Sequence, residues 1–220
     1  MGTITRTFAN NITTSGVFKP TAFNNASFDN VTSVPSGALP AGGSMVLLST
    51  QTASSSASIS FTTGIDSTYK EYMFIFNNIH PSAQSSFSFQ TSTNGGSSYG
   101  VTCTSTSFHT YHEELDAYNI LEYKLGADVA QSTSYVPLFS ESIGTVNDEN
   151  YSGILHLFNP SSTTYVKHFI ASNNNNSPGG LAVNSYFGGY FNTTSAINAV
   201  DFKMSTGNID AGTIQMFGIL

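Results

Sequence analysis

From Met45 onward, apolar and polar residues alternate with a period of two, the spacing at which successive side chains of a strand point to opposite faces of a sheet. Ala57, Ile59 and Phe61 alternate with Ser58 and Ser60; Phe87 and Phe89 alternate with Ser86, Ser88 and Gln90. Tyr72, Phe74 and Phe76 share one face and Met73 and Ile75 the other, which predicts a strand covered on both sides. Leu155 and Leu157 oppose Ile154, His156 and Phe158; Val200, Phe202 and Met204 are expected inward, with Asp201 and Lys203 outward. A last strand runs through Thr213–Leu220. Turn residues punctuate these runs at Gly64–Ser67, Asn94–Gly96, Asn159–Ser162, Ser177–Gly180 and Gly207–Asp210. Short strands closed by such turns predict an all-β fold over residues 46–220, a two-sheet antiparallel sandwich of jelly-roll type. No long helix is indicated; His112–Tyr118 could form a single helical turn. A fibrous shaft would carry a short sequence repeat, and none is present.

Residues 1–45 read differently. Ile4, Phe8, Ile12, Val17, Phe18, Phe23, Phe28 and Val31 stand singly or in pairs among Asn, Thr and Ser without a sustained period, and Pro35–Gly43 has linker composition. Such a segment cannot build a core of its own. It is expected to be an extended arm and linker whose isolated apolar residues bind a partner surface.

Composition narrows the surface chemistry. Charged residues are 9% of the chain, against the roughly 25% usual in soluble domains. Solubility then rests on Ser, Thr, Asn and Gln, and a surface with few charges can be buried against another protein at little desolvation cost. The six basic residues, Arg6, Lys19, Lys70, Lys124, Lys167 and Lys203, are dispersed in a chain of net charge −7. Nucleic acid and anionic membranes call for grouped cations, so neither is an expected partner. Cys103 is alone, which leaves no intrachain disulfide and reads as a small buried hydrophobe. Met1–Arg6 leads into Asn and Thr with no apolar signal core, and no apolar run has membrane-spanning length, so synthesis in a cytoplasm is expected.

Catalytic and metal-binding patterns are weak. In His109-Thr110-Tyr111-His112-Glu113-Glu114 the two histidines could share a metal on a helix, but on a strand they would point apart. The cluster reads as a polar loop tip. His156 and His168 alternate within apolar strands. The carboxylate pairs Glu113/Glu114 and Asp148/Glu149 are merely adjacent, and no serine stands in a nucleophile elbow. Neither an enzyme nor a cofactor is expected. Tyr111, Tyr118, Tyr123, Tyr186, Phe187, Tyr190 and Phe191 could stack sugars, although packing and subunit contacts use the same residues.

The segments Thr63–Tyr72, Leu155–Ser162 and Gly189–Asn198, and to a lesser extent Phe8–Thr14, resemble virion proteins of marine and cyanobacterial tailed bacteriophages. The resemblance implies a virion component and brings no catalytic motif. Together with the arm, it leads to the expectation of a capsid decoration (cement) protein on the capsid exterior, synthesised in the host cytoplasm. Its partners would be the major capsid protein and itself, as a homotrimer matched to local capsid symmetry. The alternative is a tail fibre or spike head that binds a host glycan. The short arm, the missing shaft repeat and the absence of a coiled coil favour the first.

Overall fold

A computed structural model describes residues 44–139 and 141–220. The eight apolar arm positions from Ile4 to Val31 therefore lie outside the described residues. Twelve strands and no helix occur among those that are described. They are β1 (Met45–Thr52), β2 (Ile59–Phe61), β3 (Glu71–Pro81), β4 (Phe87–Ser92), β5 (Cys103–Glu113) and β6 (Asn119–Tyr123), followed by β7 (Val136–Pro137), β8 (Tyr151–Phe158), β9 (Lys167–Ser177), β10 (Leu181–Phe191), β11 (Ala199–Met204) and β12 (Ile209–Ile219). Met45, placed by the sequence at the end of the arm, is the first residue of β1.

The strands form two antiparallel sheets, an all-β sandwich. One has eight strands in the order β1-β12-β3-β8-β9-β10-β5-β6, the other four in the order β2-β11-β4-β7. The first half of the large sheet, β1-β12-β3-β8, interleaves in chain order with the small sheet: the chain enters the small sheet at β2, β4, β7 and β11 and returns to the large sheet at β3, β5, β8 and β12. The hairpins β5–β6 and β9–β10 extend the large sheet beyond β8.

The alternation identified in the sequence faces the core as expected. Tyr72, Phe74 and Phe76, Leu155 and Leu157, and Val200, Phe202 and Met204 are all buried. Phe202 is the hub: its ring lies 5.2–6.2 Å from those of Phe61, Phe74, Phe76, Phe87 and Phe89. Edge-to-face and offset ring pairs at such spacings add about 0.5–1.5 kcal/mol each beyond the area they bury.

The structure departs from the sequence reading at several places. The segment expected to be a helical turn is a hairpin: Glu113 closes β5, its N–H donates to Tyr118 O at 3.2 Å, and Asp116 takes a left-handed φ of 56° at the tip. Asp201 does point away from the core, yet it is only 2% exposed, because Ser60 and Tyr135 close over it. Phe187 and Phe191, grouped with the exposed aromatics, are core residues. They sit on the inward phase of β10, while Tyr186 and Tyr190 occupy the outward phase.

Candidate interaction face and the buried polar row

Opposite faces of β5, β9 and β10 carry two distinct arrangements. On the inward face a single row of paired positions crosses five strands from β8 to β6: Gly153, Asn173, Ser185, His109 and Glu122. At its start, a Cβ on Gly153 would lie 2.5 Å from that of Asn173, so only glycine lets β8 and β9 pair closely there. Asn173 donates from Nδ2 to Leu138 O at 2.6 Å. His109 Nε2 lies 3.1 Å from Glu122 Oε1, and its Nδ1 is 3.9 Å from Glu141 Oε1, which also pairs with Lys124.

Ser185, His109 and Glu122 are the residue types of an acyl-transfer triad and stand side by side on β10, β5 and β6. Ser185 and His109, however, are fully buried, so a substrate carbonyl has no approach to a hydroxyl there. The row instead anchors Leu138 and Glu141, in the stretch between β7 and β8, to the large sheet. The sequence placed His109 in a polar loop tip. It belongs to the interior of the sandwich, and His112, three residues on, faces the opposite way and pairs with Asp116 at 3.0 Å. The two histidines cannot share an ion, and no cluster able to hold a metal occurs among the described residues.

The outward face of the eight-stranded sheet is the open surface. Its central row runs Leu47, Phe217, Met73, His156, Ile170, Gly188, Thr106 from β1 to β5. Beside it runs a second, Thr50, Gln215, Ile75, Ile154, Ser172, Tyr186, Phe108, Tyr123. On the other side Met45, Ile219, Glu71 and Phe158 are paired in turn, as are His168, Tyr190 and Thr104. The phenyl ring of Phe108 stacks on Tyr186 at 4.9 Å, and His168 lies 6.1 Å from Tyr190. No protein-family model, curated protein or solved structure matches the chain.

An antiparallel sheet with one free face ordinarily presents polar residues there. Here Ile154, Ile170, Phe108, Tyr186 and Tyr123 are exposed together. Glu71 is the single carboxylate in the three rows, and His156 Nδ1 already meets it at 2.5 Å. Over Gly188 lies a depression of about 410 Å³ bordered by Ile170, Phe158, His168, Tyr190 and Thr106. The small sheet, by contrast, hides its outward polar positions: Ser88, Gln90, Ser92 and Asp201 are all buried. The sequence singled out Tyr186 and Tyr190 as candidate stacking rings, together with the buried Phe187 and Phe191. It could not reveal that Ile154 on β8 and Ile170 on β9 share a face with them.

Proposed function

We propose that the chain is a virion structural protein of a tailed bacteriophage, a capsid decoration protein that binds the outer shell through residues 1–45 and projects its sandwich outward. The strand order carries this reading. The order β1-β12-β3-β8 against β2-β11-β4-β7 fits a jelly roll, in which eight strands wind through two four-stranded sheets, with β5–β6 and β9–β10 as insertions. Jelly rolls are building blocks of viral shells and of lectins. The low charge content supports a protein that works by broad contact with other proteins, the major capsid protein and its own copies as a homotrimer.

The test is a quantitative gel of purified particles. A decoration protein is present at a copy number comparable to that of the shell protein, and removal of residues 1–45 abolishes shell binding while the sandwich stays folded. A copy number near that of tail components sinks the proposal. The exposed rings of Tyr186 and Phe108, with the half-buried Tyr190, favour one second reading, a tail fibre or spike head that stacks host sugars on this face. That reading predicts binding of purified protein to host cells and competition with infection.

A further inference from the structure

We infer that the outward face of the eight-stranded sheet is where two copies of this chain meet, about a twofold axis that seats Ile170 of each copy over Gly188 of the other. A twofold interface must be complementary to itself, so one patch has to offer both a projection and a place to receive it. Ile170 and Gly188 are directly paired across β9 and β10 near the middle of the sheet. Ile170 projects with 55% of its surface exposed, and Gly188 floors the depression next to it.

Nothing among the described residues accounts for Gly188. Its φ is not in the left-handed region, and a Cβ placed there would meet no atom of the described residues within 4 Å. The adjacent Gly189 is different: a Cβ would lie 2.6 Å from Thr104 O and 2.7 Å from the Phe169 ring. A mid-strand glycine free of internal crowding marks a site of close approach from outside.

Size and charge select a second copy as the occupant. Eight strands about 4.8 Å apart, with outward stretches roughly 20–25 Å long, make a face of roughly 800–900 Å². A stable interface takes about 800 Å² from each partner. Two chains of net charge −7 repel one another over most of their surfaces, and least where the three rows offer one carboxylate already held by a histidine. Exposed aliphatic and aromatic side chains from two such faces can interdigitate as sheets do when they pack about 10 Å apart. A sugar is the poorer occupant of the depression: it is mostly apolar, and the Thr104 hydroxyl at its rim already accepts from Gln131 N and Nε2.

This inference does not rest on the virion reading, would replace the homotrimer named there, and is tested on the purified full chain alone. Sedimentation velocity over a concentration series should resolve a dimer that dissociates in the micromolar range. Gly188→Arg and Ile170→Glu, both directed into open space, should remain monomeric where the wild type is fully dimeric, with unchanged circular dichroism and, at concentrations too low for dimers, a melting temperature no lower than that of the wild type. Gly188→Ala should weaken the dimer several-fold. A wild type that stays monomeric or forms only trimers, or a dimer that survives both charged variants, overturns the inference. A decoration protein that failed this test would still be abundant on particles, so the two outcomes are separable.

Discussion

Tyr135 donates its hydroxyl proton to Asp201 across 2.7 Å, joining the segment before β7 to the outward face of β11. Ser60 Oγ donates to the other carboxylate oxygen at 2.5 Å, and Lys203 Nζ rests 3.9 Å above the Tyr135 ring. Asp201→Ala would leave two hydroxyls without their acceptor in a closed site. The expected cost is about 1–3 kcal/mol in urea unfolding. A loss below about 0.5 kcal/mol, the range of ordinary surface substitutions, would show that Asp201 contributes little.

Alkaline pH should weaken the fold through three tyrosines. Burial raises the phenol pKa of Tyr72, Tyr135 and Tyr151 above the ordinary value of 10.0, with the hydrogen bond to Asp201 as a further cause at Tyr135. The folded state holds these protons more tightly than the unfolded chain, so the stabilisation is complete below pH 10 and declines as pH rises beyond it. Phenolate absorbance of these three should develop only together with loss of circular dichroism. Full ionisation with the fold intact would contradict this.

Cys103 should be chemically silent in the folded protein. It is buried, and burial alone pushes its thiol up to about 12. Because the thiolate is the reactive form, a thiol reagent at mildly alkaline pH should label it only after denaturant is added. Rapid labelling of the native chain would mean that the β5 end of the core opens readily.

Phe202→Ala should be among the most damaging single changes to the core, by about 3–5 kcal/mol, since it empties the centre of the aromatic cluster. Chemical denaturation followed by tyrosine fluorescence would measure it. A cost under about 1 kcal/mol would mean that the surrounding rings collapse into the space.

The two consecutive glycines of β10 should respond in opposite directions. Gly189→Ala forces a methyl against Thr104 O and the Phe169 ring, and should cost about 1–3 kcal/mol. Gly188→Ala meets open space and should stabilise the monomer by about 0.4–1 kcal/mol through the unfolded chain, in melts at concentrations too low for dimers. Equal effects at the two sites would remove the distinction on which the role of Gly188 rests.

Much of this architecture was legible in the sequence because its signals are local. Alternation at Tyr72–Phe76, Phe87–Phe89 and Val200–Met204 depends on neighbours two residues apart, and turn chemistry at Asn94–Gly96 or Ser177–Gly180 on residues side by side. These determined an all-β chain, about half of its strands and many of its core side chains. The hairpin at Glu113–Tyr118 was missed because two glutamates, a leucine and an alanine also suit a helical turn; the left-handed Asp116 and the cross-strand partners of β6 decided otherwise.

Pairing between distant segments belongs to the tertiary structure alone. That His109 lies beside Glu122 and Ser185, that Tyr135 covers Asp201, and that Ile170 stands next to Gly188 all follow from strand order and register. Alternation tells which residues share a face of one strand. Whether that face meets the opposite sheet, a covering segment or open solvent depends on how many strands each sheet contains. Here eight strands lie in one sheet and four in the other, and among the described residues Ile154, Ile170, Phe108 and Tyr186 on the larger sheet's outward face are exposed.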